Sequence, residues 1–227
     1  MVSRDKTKVI AVMPAYNEEK HIEKVIKNTK KYVYKLIVVD DGSKDNTYAM
    51  AKKHSDIALR HIINMGKGLA LKTGIETALI HKPDVIVTID SDGQNLPEDI
   101  PRLVKTLTEN NLDLVIGSRP RNKNMPTLMK LGNHGLYKIF KFLFKLNIYD
   151  TQSGFRAFKA KVYPKIRWGS TGYAIETEML AKAGKNKLKC GEVPIQTIYL
   201  DDGKGTTPLD GFKIFLKMLY WKIWKVR

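Results

Sequence analysis

A chain of 227 residues with 43% hydrophobic content carries enough apolar material for one substantial packed domain, and its composition excludes collagen-like and disordered chains. Its net charge of +17 is lopsided: residues 1–117 carry +2 and residues 118–227 carry +15, so the C-terminal half suits an anionic partner. The single cysteine, Cys190, excludes an internal disulfide and a thiolate metal site, and fits a reducing compartment. The opening residues lack the apolar core of a signal peptide, and no uncharged apolar run is long enough to span a bilayer, so a cytoplasmic chain is expected.

Short β-branched runs alternate with helical patterns through the first half, as in a parallel sheet with crossover helices. Strands are expected at Val9–Met13, Leu36–Val39, Ile57–Arg60, Val85–Ile89 and Leu114–Ile116, with helices at about Glu19–Tyr32, Thr47–His54, Gly68–Ile80 and Pro97–Asn110. The second half loses that rhythm. A helix is expected over Pro126–Leu146, another over about Ala174–Lys185, a strand ending near Val193 and a last helix from Asp210. The polar motifs fall where strands end and loops begin, which in open α/β sheets is where ligands sit.

The first strand runs into Pro14-Ala15-Tyr16-Asn17-Glu18-Glu19, where Pro14 should stop the strand and the two glutamates suit the first turn of a helix. The second ends in Asp40-Asp41-Gly42-Ser43. These adjacent carboxylates can accept hydrogen bonds from a base and a ribose, or close a turn whose N-cap is Asp45 or Asn46. Asn64-Met65-Gly66-Lys67-Gly68 opens a helix, and a helix N-terminus with a lysine attracts an anion, although the spacing is not that of a Walker loop. The strongest motif is the run from Val85 to Asp90-Ser91-Asp92-Gly93-Gln94. An apolar strand delivers Asp90 to its end, Asp92 can reach the same hard cation, and Gln94 adds an amide oxygen, a ligand set that suits Mg²⁺ or Mn²⁺.

With these motifs in this order, the chain resembles the family 2 glycosyltransferases, and within them the dolichyl-phosphate mannose synthase-like branch. Gly117-Ser118-Arg119, the run Asp150 to Ser153-Gly154-Phe155-Arg156, the segment Gly172-Tyr173 to Glu176-Thr177-Glu178, and Glu192-Val193-Pro194 are similar to that branch's later segments. The resemblance implies an α/β fold of GT-A type, a Rossmann-like, mostly parallel sheet flanked by helices over residues 1–208; residues 209–227 read by their own pattern as a basic amphipathic C-terminal helix. It also implies metal-dependent, inverting transfer of a hexose from a nucleotide-diphospho-sugar, GDP-mannose favoured and UDP-glucose the other donor. The implied acceptor is a polyprenyl or dolichyl phosphate.

Carried over position by position, Pro14, Tyr16, Glu18, Asp41 and Asp40 would hold the nucleoside, and Lys67 would meet a donor phosphate. Asp90, Asp92 and Gln94 would hold Mg²⁺ or Mn²⁺, with Ser91 between them on the donor side. Arg119 and Arg156 would approach donor or acceptor phosphates. A phosphate acceptor is already ionised at neutral pH, whereas a hydroxyl acceptor would require a base, for which Glu178, Glu176 and Asp150 are the candidates.

The tail from Leu209 is basic and aromatic. Phe212, Phe215, Leu216, Leu219 and Ile223 form a stripe at helical spacing, and Trp221 and Trp224 suit a headgroup boundary. An anionic membrane surface is therefore an expected partner, with the chain peripheral on the inner face. Ile214 and Trp221 fall off the stripe, however, and fit a helix packed on the core. By the same resemblance, the segment Tyr199–Thr207, with Lys204, occupies the place of a loop that in relatives is basic and closes over the donor, although Asp201-Asp202 replace the basic character here.

Two further readings use parts of the same pattern. A sugar-phosphate nucleotidyltransferase would need a Gly-rich basic loop straight after the first strand, where this chain has Pro14-Ala15-Tyr16-Asn17. A nucleic-acid-binding protein would use the basic half, but its aromatics lie at helical spacing rather than on a sheet platform, so nucleic acid is not an expected partner.

Overall fold

The computed structural model describes residues 7–119, 127–170, 172, 174–198 and 208–223. Tyr173, the Tyr199–Thr207 segment with Lys204, and Trp224 lie outside them, as do the side chains of Phe212 and Ile214. The elements in chain order are β1 (Val9–Ala15), α1 (Ile22–Thr29), β2 (Lys35–Asp40), α2 (Thr47–His54), β3 (Ile57–Arg60), α3 (Lys67–Ile80), β4 (Val85–Thr88) and α4 (Ile100–Glu109). They continue with β5 (Leu114–Ser118), α5 (Thr127–Phe144), β6 (Arg156–Lys159), α6 (Tyr163–Ile166), α7 (Ile175–Lys185), β7 (Cys190–Pro194) and α8 (Pro208–Ile223).

Seven strands form one sheet in the order β3-β2-β1-β4-β6-β5-β7. All neighbours are parallel except β6, which runs antiparallel to both β4 and β5. Every residue of β1 is buried, as expected of a strand covered on both faces. Side chains alternate between two cores. Ile10, Val12, Ile37, Val39, Ile86 and Phe158 join Leu71 and Ile75 of α3, Phe140 and Phe144 of α5, and Leu180 of α7. Ala11, Met13, Leu36, Val38, Val87 and Ala157 meet Ile22 and Ile26 of α1 and Leu103 and Leu107 of α4. Met218 and Trp221 bring α8 onto the first core, so Trp221 is a packing residue and not a headgroup anchor. Among the described residues no helix is long and apolar enough to cross a membrane.

Two expectations at the first strand are corrected. Pro14 does not end β1 but pairs with Val39 inside it, because the β4 side of β1 is paired only as far as Val12–Thr88 and the missing N–H is not needed. Glu18 and Glu19 precede α1 instead of opening it. The Glu18 N–H donates to Thr47 Oγ1, and the Glu19 carboxylate accepts from the backbone N–H and side-chain amide of Asn46. With Asn17 N–H donating to Ser43 Oγ and Lys44 N–H to Asn17 Oδ1, these bonds lace the loop after β1 to the loop after β2.

Helix α3 lies tight on the sheet at Gly74, where an added Cβ would stand 2.4 Å from Val12 Cγ1 and 3.1 Å from Val39 Cγ2. Gly74→Ala is expected to lower stability by about 1–3 kcal/mol through overpacking, read as a fall in the thermal melting midpoint.

Candidate active site

The segments after β4, β5 and β7 and the segment before β6 converge on one cavity, lined by Asp90, Asp92, Gln94, Arg119, Gln152 and Thr197 among others. Strand β4 is held by its neighbours up to Thr88, whose hydroxyl donates to the Gly154 carbonyl. The chain then turns: Ile89 N–H donates to Val12 O, and Ser91 Oγ donates to Pro14 O, buried between the two carboxylates. Gly93 at φ +78° completes the turn, and Asp92 Oδ1 accepts from Gln94 N–H. Ser91 therefore fixes the turn to β1, while Asp90, Asp92 and Gln94 stay at the cavity.

Lys67, the first residue of α3, reaches into this site. Its ammonium lies 2.8 Å from Asp90 Oδ1 and 2.9 Å from Glu176 Oε1 at the start of α7. Burial pushes its pKa down, but the two carboxylates outweigh that and hold it above the usual lysine range. Gly154 closes over the pair: a Cβ there would stand 2.7 Å from Asp90 Oδ2 and 2.8 Å from Lys67 Nζ.

Arg119 makes a two-pronged contact with Asp150, Nε to Oδ2 and a terminal nitrogen to Oδ1, both at 2.8 Å. Burial works to raise the Asp150 pKa, and the guanidinium overrides it and holds the carboxyl below its ordinary value. Asp150 is in turn fixed by Glu192, which accepts from the N–H groups of Tyr149 and Asp150. Asp150 thus orients Arg119 at the cavity's edge.

Several residues expected at the ligand sit elsewhere. Arg156 is 1% exposed. It donates to the carbonyls of Ser153, Glu176 and Thr151 and contacts Met179 Sδ, so it braces the loop before β6 against α7 and does not face a phosphate. Burial pushes its pKa down to about 10, which leaves it charged at neutral pH. Glu178 is equally enclosed: its two oxygens accept from the N–H groups of Gly169 and Ser170, with Lys182 at 3.5 Å, so its carboxylate braces a turn and does not stand at the cavity as a base. Glu176, two residues earlier, is the acid that meets the site.

Among the residues expected to hold a nucleoside, Asp41 accepts from the N–H groups of Met65 and Gly66 and from His61, which also bonds Thr73 Oγ1. It shapes the loop that delivers Lys67. Asp40 is fully buried, accepts from Ser43 N–H and pairs with Arg60. Tyr16 is exposed just past β1, and Glu18 follows it in the laced loop. Sequence reasoning missed His61, Thr73, Asn95 and Thr197; the last two form a bridge that carries the chain after β7 to the loop after β4.

For a divalent cation the donor chemistry fits. Asp90, Asp92 and Gln94 present hard oxygens at one cavity, and Asp90 already holds a cationic group at hydrogen-bond distance. Among the described residues no cluster of three or more His, Cys, Asp or Glu side chains forms a closed metal cage. An arrangement of one or two carboxylates plus substrate phosphates is the mode Mg²⁺ favours.

The brace role of Arg156 carries a prediction. Arg156→Met leaves three buried carbonyls without their donor and should cost about 3–5 kcal/mol, seen in denaturant unfolding. Unchanged stability with weakened donor binding would instead restore the phosphate role.

Residues 10–167 match the family model described as Glycosyl transferase family 2. The chain is 43% identical over 228 residues to an uncharacterized protein of Methanocaldococcus jannaschii, covering 96% of this chain and 94% of that one. It is 38% identical to the UDP-N-acetylglucosamine–dolichyl-phosphate N-acetylglucosaminyltransferase of Methanococcus voltae over 96% of this chain and 97% of the relative. Glucosyl-3-phosphoglycerate synthase of Mycobacterium tuberculosis shares the fold, with a TM-score of 0.74 at 24% identity over 95% of this chain and 80% of that one. Other structures of that synthase contain UDP with Mn²⁺ or Mg²⁺. The sheet, the cavity at its carboxyl edge and these relationships agree: the chain belongs to glycosyltransferase family 2 and is a glycosyltransferase.

Proposed function

We propose that this enzyme moves a sugar from a nucleotide-diphospho-sugar to a polyprenyl or dolichyl phosphate, with Mg²⁺ or Mn²⁺ held by Asp90, Asp92 and Gln94. The observation that carries the reading is the meeting of those three residues with Arg119 in one cavity at the carboxyl edge of the sheet. The acceptor class follows the Methanococcus voltae relative, whose name also makes UDP-N-acetylglucosamine the first donor to try, ahead of GDP-mannose and UDP-glucose.

A bound divalent metal would supply Lewis-acid stabilisation of the departing diphosphate. The chain's own residues do the rest. Tyr16 offers its ring to the base, and the laced loop around Glu18 and Ser43 fixes that edge. Lys67 lies beside Asp90, placed to meet the negative charge that develops on the diphosphate. Arg119, oriented by Asp150, receives the acceptor phosphate. An oxygen of that phosphate forms the new bond to the anomeric carbon from the face opposite the diphosphate. The carbon–oxygen bond to the diphosphate breaks, and its electron pair leaves with the nucleotide. The nucleophile is already anionic, so no carboxylate base is needed, in keeping with the commitment of both Glu178 oxygens to backbone N–H groups.

The test is transfer of labelled sugar from UDP-N-acetylglucosamine, UDP-glucose and GDP-mannose, in parallel, to polyprenyl phosphate with Mg²⁺ or Mn²⁺. Metal-dependent label in the lipid is expected, reduced by about 10²-fold or more in Asp92→Ala. Label released only to water would discard the lipid acceptor, and silence with every donor would discard the reading.

A lipid acceptor requires approach to a membrane, and α5 and α8 offer a surface for it. Phe142, Leu216, Tyr220 and Ile223 are exposed, with Lys138, Lys141, Lys145, Lys217 and Lys222 exposed around them. Such a mixture suits the headgroup layer of an anionic bilayer, at about 1 kcal/mol per basic residue near the surface. Lys141→Gln with Lys217→Gln should cut sedimentation with anionic vesicles and leave the melting midpoint unchanged. Equal binding to neutral and anionic vesicles would remove the electrostatic part.

A further inference from the structure

The ion cluster at Lys67 contains more carboxylates than a lysine needs. Side-chain exposure falls from 30% at Lys67 and 24% at Asp90 to 7% at Glu176, so the second acid is the more deeply enclosed. Glu176 sits in the first turn of α7, its own carbonyl held by Arg156, and Arg156 is locked to the loop before β6. Its carboxylate is therefore delivered from a rigid support. Asp90, in contrast, sits in the turn after β4 and faces the cavity with Asp92 and Gln94. Gly154 covers the ammonium and Asp90 together, and no side chain larger than hydrogen fits there without movement.

This arrangement gives one cation two anchors of different kinds. A divalent ion coming to Asp90 meets an ammonium already 2.8 Å from the same carboxylate. In a partly desolvated site the repulsion between the two cations is appreciable, so one must yield Asp90 to the other. Glu176 gives the lysine somewhere to remain when Asp90 is taken.

Resting on the metal reading above, we propose that Glu176 is a positioning residue that keeps Lys67 as an exchangeable cation on Asp90, so that the lysine and a divalent metal compete for that carboxylate. The metal alone is then held weakly. The diphosphate supplies the negative charge that lets both cations stay, the metal on Asp90 and Asp92 and the lysine between Glu176 and a phosphate oxygen. Metal and nucleotide consequently bind with positive coupling, and the coupling depends on Lys67.

The test is Mn²⁺ binding to the full chain, measured by the electron paramagnetic resonance signal of free Mn²⁺, with and without UDP. Lys67→Met should tighten Mn²⁺ binding in the absence of UDP by about tenfold, since it removes the competitor. Glu176→Gln should weaken it several-fold, because the lysine then has Asp90 as its only anchor. The double variant should match Lys67→Met, since Glu176 acts through the lysine. UDP should strengthen Mn²⁺ binding more in the wild type than in Lys67→Met.

A merely structural ion pair would move both single variants in the same, weaker direction, and that result overturns the proposal. So does Glu176→Gln still weakening binding when Lys67 is already Met, because the acid then acts through its own field. Equal Mn²⁺ affinity in the wild type and Lys67→Met overturns the exchange while leaving the metal site standing. Mn²⁺ bound by neither protein, even with UDP, overturns the metal reading and the exchange with it. Thermal melts of the three variants keep a folding defect from passing as a change in affinity.

Discussion

The ammonium of Lys67 joins three segments that are far apart in the chain: the start of α3, the turn after β4 and the first turn of α7. Enclosing a charge in this way costs several kcal/mol unless close opposite charges and hydrogen bonds offset it. Two carboxylates do so here, and the backbone at Gly154 approaches so closely that the cluster has little room to relax. The triad meets Asp90 on a turn that Ile89 and Ser91 already fix to β1. Loop and helix contacts around it serve mainly to hold its members in place.

Charged side chains near the site divide into two groups by what they touch. Arg156, Glu178, Asp41 and Glu192 bond backbone groups: carbonyls of the loop before β6, amides of the turn after α6, amides of the loop before α3, and amides of Tyr149 and Asp150. They convert irregular backbone into a fixed frame, which is how buried polar groups in loops are satisfied. Asp90, Asp92, Gln94 and Arg119 face the cavity on that frame. Rigid support of this kind lets a few polar groups meet a phosphate or a cation with little reorganisation.

The first half of the fold was readable because β1, β2 and β4 are buried apolar runs, α1 and α4 carry a clear apolar face, and the edge strand β3 and helices α2 and α3 fill the intervals between them. The expected bounds of β3 and α2 coincide with the observed ones, and the other early elements differ only at their ends. Strand β6 was not readable: four residues beginning with arginine carry no strand pattern, and their antiparallel insertion between β4 and β5 is set by tertiary pairing. At the site, the Asp-Ser-Asp turn announced itself through its place after an apolar run. The separation of Arg119 from Arg156, and of Glu176 from Glu178, did not. Each pair has the same chemistry in the sequence; exposure tells Arg119 from Arg156, and the partner of each carboxylate, Lys67 or backbone N–H groups, tells Glu176 from Glu178.

Strand order also imposes a timetable on assembly. As the chain is synthesised, β1 to β4 can pair with one another as soon as they exist, but β5 has no partner among them, because the strand that joins it to β4 in the finished sheet is made later. That neighbour, β6, follows α5, so the edge of β4 waits unpaired while residues 89–155 are made. An open edge of a Val-Ile-Val strand is a template for pairing with another chain. The nascent protein therefore passes through a stage at which β1 to β4 are paired and its sheet is unfinished. Asp90 lies just past the end of that waiting strand, so the cavity and the protection of the edge are completed by the same late insertion.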